Sequence, residues 1–402
     1  QMVCTERSGC PLMGAGAEPG VDYSQTYNIY QGTHITGNTV SEGNTIEWLG
    51  VPIDPPGTQA SRVIRITNVR ANAAQKGVGG LLIPSQLIMY ISATGTTSMP
   101  INNPQQIVAF VQDGLVFDAE DGAFLQCEDP KYDSDNPIGL EYQELFATAF
   151  KRRNVLTTYS SPTAIGSQNQ MGPNEPKVEY NTETGFYNPA LSSVNNADDA
   201  GLASQGTRLV AHFKGIPDGV SLYVSATSLA QLDNADDPDC TGGQSDVDCH
   251  LDIATIVEDA DSNGKGGEPA TLSSALGWDP DNSDVPSGYI KVGLVGNAGT
   301  ATWEVVRDDF TATGSVQFNV IVDYTPNSSA GIPALGTGAV AGSYGPLSTA
   351  ATAISTDLQP RFVDRSEDID FVTINSCATN LLWPYVTNQA GFDTGMVISN
   401  TS

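Results

Sequence analysis

The fold of this chain is limited most strongly by an alternation of apolar and polar side chains in short runs. The run between residues 315 and 324 is the clearest, because every second position from Val316 to Val322 is valine or phenylalanine. Successive side chains of a β-strand point to opposite faces of its sheet, so this pattern predicts a strand with one face in a core. Comparable runs recur along the chain and end at Gly, Pro or Asn, which form turns. The sequence therefore predicts an all-β chain.

The distribution of these runs predicts two or more β-sandwich modules, immunoglobulin-like or jelly-roll-like. In the first module, runs such as Leu87–Ile91 and Ile107–Val111 are typical of strands between turns. The second module contains the alternating run described above. The predicted segments are an N-terminal extension 1–26, a first module 27–160, a connecting segment 161–205, a second module 206–326 with an acidic insertion 231–287, and a linker with terminal strands 327–402.

One helix is predicted near 137–153, docked on the neighbouring sheet. Asn136 is a suitable N-cap, and Pro137 suits the first helical position. The stretch ends at Lys151-Arg152-Arg153, and cations favour a helix C-terminus. Apolar side chains recur between them at helical spacing. These apolar positions are Tyr142, Leu145, Phe146, Ala149 and Phe150.

The charge balance limits the class of partner. The chain has 46 acidic and 17 basic side chains, which gives a formal net charge of -29. Such a charge repels phosphate backbones, so nucleic acid is not expected as a partner. No run reaches the roughly 18 apolar residues that a membrane-spanning helix needs, so the chain is not predicted to span a membrane.

The six cysteines indicate disulfides and an oxidising compartment. Two close spacings predict local bridges, Cys4 with Cys10 and Cys240 with Cys249, which leaves Cys127 and Cys377 as a long-range pair. Many other connectivities exist for six cysteines, so this pairing is a hypothesis. Together with a first residue, Gln1, that fits removal of a signal peptide, the cysteines predict a secreted protein at or outside the cell surface.

The best candidate for a metal site is the sequence Asp259-Ala260-Asp261-Ser262-Asn263-Gly264. It matches the start of a calcium loop that uses oxygen ligands, and Glu268 follows nearby. The match is incomplete, because Ala270 stands where an EF-hand-type loop places its bidentate acid. We therefore hold two readings, a structural calcium on Asp259, Asp261, Asn263 and Glu268, or a solvated turn cluster without a metal.

The chain carries no recognisable catalytic motif, and we predict that it is not an enzyme. The serine-hydrolase, zincin and P-loop patterns are all absent from the sequence. Trp278, in a Gly-Trp-Asp-Pro turn, is a candidate for glycan contact at the surface.

The segment Cys377–Ser402 contains two strand-like runs joined by a polar turn, and both need partners for their backbone groups. A segment of this kind can pair with another copy of the chain. The candidate subunit contacts are Leu381, Trp383, Tyr385, Val397 and Ile398.

Several phrases resemble a group of large exported β-rich bacterial proteins of unassigned function. They are Gly50–Thr58, Arg65–Asn72, Phe146–Lys151, Thr184–Phe186 and Cys377–Ser402, and the last is the most specific. The resemblance extends over roughly residues 27–402. It implies export and a β architecture, and it transfers no catalytic residue.

These observations lead to two functional hypotheses. The first is an extracellular structural subunit of a filament, pilus-like or surface-layer assembly, a homopolymer held by β contacts that include the terminal strands. The alternative is a secreted adhesin or carbohydrate-binding protein with structural calcium.

Overall fold

Turn-forming residues divide the chain into short strands, as the sequence predicts. A computed structural model describes residues 2–4, 27–30, 32–35, 44–53, 58–59, 84–95, 99–130, 138–151 except 148, 205–228, 252–307 except 281 and 283, 313–326, 332–347 and 362–378 except 365, with single positions 64, 66, 69, 71, 382, 389, 391, 395 and 397. Within this part of the chain the all-β prediction is confirmed, since the one helix there has five residues.

The strands and the helix are all short, which fits the frequent Gly and Pro in the sequence. In chain order they are β1 Met2–Cys4, β2 Tyr27–Tyr30, β3 Thr33–His34, β4 Ile46–Glu47, β5 Ser85–Tyr90, β6 Gln105–Val111, β7 Leu115–Ala119, β8 Gly122–Leu125, β9 Ile138–Glu144, β10 Arg208–Lys214, β11 Ser221–Ser225, β12 Ile253–Ile256, α1 Leu272–Leu276, β13 Tyr289–Lys291, β14 Gly299–Arg307, β15 Ser315–Asp323, β16 Gly336–Gly345 and β17 Ile369–Asn375.

Two sheets contain most of these strands. The larger has six strands in the order β12-β14-β10-β16-β17-β8, and the smaller has five in the order β13-β11-β15-β9-β7. Within these two sheets neighbouring strands are antiparallel except β17 and β8, which are parallel. The pairs β1-β2, β3-β4 and β5-β6 form three separate two-stranded sheets.

The two large sheets share one apolar core. Trp303 of β14 stacks on Phe318 of β15, with ring centroids 4.0 Å apart, and its indole N–H donates to the carbonyl oxygen of Ser225 at 2.9 Å. Gly342 of β16 lets the sheets approach closely, since a Cβ there would overlap the ring of Phe117. The core is therefore built by contacts between strands that lie far apart in the sequence.

The prediction of a helix near 137–153 is wrong. Residues 138–144 form β9, in which Ile138, Leu140 and Tyr142 are buried at every second position. The sequence carries both a helical and a two-residue periodicity here. The two-residue periodicity prevails because β15 on one side and β7 on the other form hydrogen bonds with the backbone groups of β9.

The pairing of the strands crosses the division into modules 27–160 and 206–326. Strand β9 pairs with β15, and β8 pairs with β17, so strands from before residue 160 complete sheets built from residues after 206. A disulfide between Cys127 and Cys377 joins the segments that follow β8 and β17. This long-range cysteine pair confirms the sequence prediction for these two residues.

Among the described residues, no helix has the length and apolar character needed to cross a bilayer.

Candidate functional site

Strands β5 and β6 form an antiparallel hairpin outside the two large sheets. Their register runs from Ser85 opposite Val111 to Tyr90 opposite Gln105, and Ile91 N–H extends the ladder to Pro104 O at 2.8 Å. In the part of the chain that the structure describes, each of these strands pairs only with the other. We refer to β5 and β6 together as the apolar ribbon.

One face of the apolar ribbon presents large apolar side chains to solvent. Five of them are between 46% and 73% exposed, namely Ile88, Tyr90, Ile107, Val108 and Phe110. An isolated two-stranded hairpin is marginally stable in water, and it gains stability when a face is covered. A contiguous apolar surface of this kind is typical of a site of protein interaction.

A β-bulge explains why so many apolar residues of β6 are exposed. Leu87 lies opposite Ala109, but the next residue, Ile88, lies opposite Ile107. Val108 is therefore an extra residue in β6, and such a bulge redirects side chains and increases the local twist. As a result Ile107 and Val108, which follow one another in the sequence, are both exposed.

The base of the apolar ribbon is attached to the large sheets. A groove of about 490 Å³ lies there, lined by Pro84, Leu87, Phe110, Val111, Gln112 and Phe146. Just beyond it, the carbonyl oxygen of Gly114 accepts hydrogen bonds from Leu145 N–H at 3.1 Å and from the Tyr344 hydroxyl at 2.8 Å. These contacts fix where the ribbon leaves the body.

The apolar ribbon is also free of charge. Between Lys76 and Asp113 the sequence contains no Asp, Glu, Lys, Arg or His, although the whole chain has a net charge of -29. The strand runs Leu87–Ile91 and Ile107–Val111 were predicted, but as part of a sandwich module. The uncharged run is the sequence signal that identifies this surface.

The predicted calcium ligands lie in the loop that follows β12. Asp261 shapes this loop, since its Oδ1 accepts from the backbone N–H groups of Asn263 and Lys265, both at 2.9 Å. Asp259 and Glu268 are exposed. Within the described ranges, no three acidic, histidine or cysteine side chains lie close enough together to hold a metal. The calcium site stays a hypothesis.

The guanidinium group of Arg208 contacts the same loop. Arg208 is buried and pairs with the buried carboxylate of Glu304 at 3.0 Å. Its other N–H groups donate to three loop carbonyl oxygens, those of Gly264, Gly266 and Gly267. The positive charge of Arg208 thus lies against the loop carbonyl oxygens. Removal of Arg208 or of Glu304 would leave the other as a buried unpaired charge.

The cysteine and terminal candidates are only partly within the described residues. Cys4 is disulfide-bonded, whereas its predicted partner Cys10 and the pair Cys240 and Cys249 lie outside the described residues. Of the predicted subunit contacts, Val397 is exposed. The other four, Leu381, Trp383, Tyr385 and Ile398, lie outside the described residues, and their role stays a prediction.

Trp278, the candidate for glycan contact, is half-buried beside the C-terminus of α1. Its carbonyl oxygen accepts from Gly288 N–H at 2.8 Å, which fixes the turn. Its contact with a glycan also stays a prediction.

His212 of β10 lies near Asp364 and Ser366, in the segment before β17, but the three residues do not form a nucleophile and base. The Ser366 hydroxyl donates to Asp364 Oδ1 at 2.6 Å. The Nε2 atom of His212 is buried and has no hydrogen-bond partner in the described part of the chain. Burial lowers the pKa of His212. Because the hydroxyl binds the carboxylate rather than the imidazole, it is not activated for attack.

A scan of protein-family models, a search of curated proteins and a search of solved structures each return no match for the chain.

Proposed function

We propose that this chain is an extracellular structural subunit with a β-sandwich body, which self-associates into a filament, pilus-like or surface-layer assembly. The observation that carries the proposal is the apolar ribbon, an uncharged and solvent-exposed apolar face on a strongly acidic chain. Burying such a face is favourable by about 25 cal/mol for each Å² of apolar surface removed from water.

The charge distribution favours a second copy of the chain as the partner. Two copies, each with a net charge of -29, repel one another over most of their surfaces. The apolar ribbon adds no charge to a contact, so association through it avoids direct repulsion between carboxylates. Like charges that face one another across an interface cost several kcal/mol of binding free energy. A contact through the neutral face avoids this cost.

The Cys127–Cys377 disulfide supports the extracellular part of the proposal. Disulfides persist in oxidising environments such as the cell surface and are rare in the cytosol. Here the bond ties two strands from opposite parts of the sequence into one sheet, which suits a subunit exposed to the medium.

The proposal is tested by sedimentation and electron microscopy across a concentration series. The double variant Ile107→Asp with Phe110→Asp places two carboxylates on the exposed face, and we expect it to stay monomeric where the wild-type chain forms regular polymers. Leu276→Asp is the matched control, because Leu276 is comparably exposed but lies on α1. A wild-type chain that stays monomeric at every concentration would overturn the proposal.

Salt gives a second test of the same surface. At about 1 M salt the Debye length is about 3 Å, so repulsion between acidic copies is screened, and salt also strengthens apolar contacts. We expect polymerisation to increase with salt. Polymers that dissolve as salt rises would instead indicate ion pairs between copies and would contradict an apolar contact.

A further inference from the structure

A second exposed apolar surface lies at the other end of the two large sheets. Three loops meet there, residues 216–218, the turn 295–298 between β13 and β14, and residues 332–335 before β16. We refer to these three loops as the loop platform. Val295 is 85% exposed, and Ile332 and Leu335 are roughly half exposed.

Hydrogen bonds between the loops hold the loop platform in shape. The side-chain amide of Asn297 donates to Ile216 O at 2.6 Å and to Asp218 Oδ1 at 2.8 Å. The N–H of Ala334 donates to Asp218 O at 2.8 Å. All three loops are therefore joined through Asp218 and Asn297, so the apolar side chains are presented on a fixed base.

The turn between β13 and β14 accounts for the exposure of Val295. Gly296 and Asn297 have φ angles of 59° and 66°, and the backbones of Val295 and Ala298 are hydrogen-bonded to each other. Two central residues with positive φ are the signature of a tight type I′ hairpin turn. Val295 flanks this turn and extends from the body.

Strand β16 fixes the distance between the two apolar surfaces. It begins at Gly336, immediately after Leu335 of the loop platform. Near its other end, the Tyr344 hydroxyl donates to Gly114 O at the base of the apolar ribbon. A ten-residue strand spans about 30 Å at about 3.3 Å a residue, so the surfaces lie at opposite ends of the body.

The apolar ribbon and the 332–335 loop of the platform lie in the two longest runs of the sequence without Asp, Glu, Lys, Arg or His. The apolar ribbon lies between Lys76 and Asp113, and the 332–335 loop lies between Asp323 and Asp357. Asp218 is exposed among the loops of the loop platform. An acidic partner would be repelled here, whereas the uncharged ribbon of another copy would not.

We infer that the apolar ribbon of one copy docks on the loop platform of the next, in a head-to-tail contact; this inference rests on the proposed function and names the partner surface. The two surfaces differ and lie at opposite ends, so the contact is heterologous. A heterologous contact whose rotation does not close into a ring generates an open filament. One apolar surface at each end of the body therefore allows copies to associate into a linear polymer.

The test is a mixing experiment with two variants that are each blocked at one end. The ribbon-blocked variant carries Ile107→Asp and Phe110→Asp, and the platform-blocked variant carries Val295→Asp and Leu335→Asp. Each alone is expected to associate at least about tenfold more weakly than wild type, because a charge replaces a buried apolar contact. Mixed together, they should form a dimer with one copy of each, since one intact ribbon and one intact platform remain.

Several outcomes would overturn the inference. If the platform-blocked variant polymerises like wild type, the ribbon binds elsewhere, and the proposed function stands without the head-to-tail contact. The same holds if both variants are monomeric but their mixture forms no dimer. If the wild-type chain itself never assembles, the proposed function fails as well.

Folding of the variants is checked independently. All four substituted positions are exposed, so we expect the thermal unfolding midpoints of both variants to match that of Leu276→Asp. As a second measurement, Phe110→Cys in one copy and Val295→Cys in another should form a disulfide between copies of the otherwise wild-type chain. A cross-link confined to two Phe110→Cys copies would contradict the contact and indicate a symmetric ribbon pair.

Discussion

Strand β15 and ribbon strand β6 are built from similar residues and reach opposite environments. Val316, Phe318 and Val320 of β15 are buried, whereas Ile107 and Phe110 of β6 are exposed. Both strands consist largely of β-branched and aromatic side chains, which favour β structure wherever they occur. The composition of a strand therefore sets its conformation, and the presence of a second layer sets its burial.

The second layer is present over β15 because the larger sheet brings Trp303 onto Phe318. In the described part of the chain, no comparable sheet covers the exposed face of the apolar ribbon. This contrast predicts that changes in the covered region alter stability, while changes in the ribbon alter association.

The largest effect is expected from the Cys127–Cys377 disulfide, which closes a loop with a sequence separation of 250 residues. Replacing both cysteines by serine should lower the free energy of unfolding by about 5 kcal/mol, since a longer closed loop removes more entropy from the unfolded chain. Denaturant unfolding with and without reductant measures it. A double-serine variant as stable as the oxidised wild type would show that the covered region does not depend on this link.

Paired substitutions compare the two regions directly. Trp303→Ala removes a fully buried side chain and should cost about 3–5 kcal/mol of stability. Tyr90→Ala on the apolar ribbon should change stability by less than about 0.5 kcal/mol, because Tyr90 is mostly exposed. Both are measured by denaturant unfolding of the monomer. Similar losses from the two substitutions would mean that the ribbon face is covered in solution even without assembly.

Tyr142→Phe should increase stability by about 1 kcal/mol, because the Tyr142 hydroxyl is buried without a hydrogen-bond partner in the described part of the chain. Burial also raises the pKa of Tyr142 well above its usual range. Phe keeps the ring contacts with Phe117 and Phe318. Thermal unfolding is the measurement. A destabilised Phe variant would mean that an internal water or another group satisfies the hydroxyl.

The smallest effect is expected from His212, which lies between the two extremes of burial. Burial lowers its pKa, with opposing influences from Asp364, which raises it, and Lys214, which lowers it further. Below the usual pKa of histidine the unfolded chain binds a proton that the folded chain does not, so stability falls as pH falls. We expect a modest decrease in the unfolding midpoint from about pH 7.5 to about pH 5.5 that is smaller in His212→Gln. An identical decrease in both would assign the pH dependence to other groups.

Much of the local structure could be predicted from the sequence. Alternation located β15, the runs 87–91 and 107–111 located most of β5 and β6, and the spacing of the cysteines left Cys127 with Cys377. The region 137–153 was wrongly predicted as a helix, because Tyr142 belongs to both a helical and a two-residue pattern. Its conformation is decided by β7 and β15, which are outside that segment.

The candidate site shows the same division. The amino-acid sequence shows that residues 77–112 are uncharged, and its apolar runs 87–91 and 107–111 predict strands there. The pairing of these strands is visible only in the fold, where β7, β8 and β9 join the sheets of the second module while β5 and β6 remain a separate ribbon. A run of apolar, β-branched and aromatic residues favours a strand wherever it occurs, but the surface that covers a strand comes from other strands that are distant in the sequence.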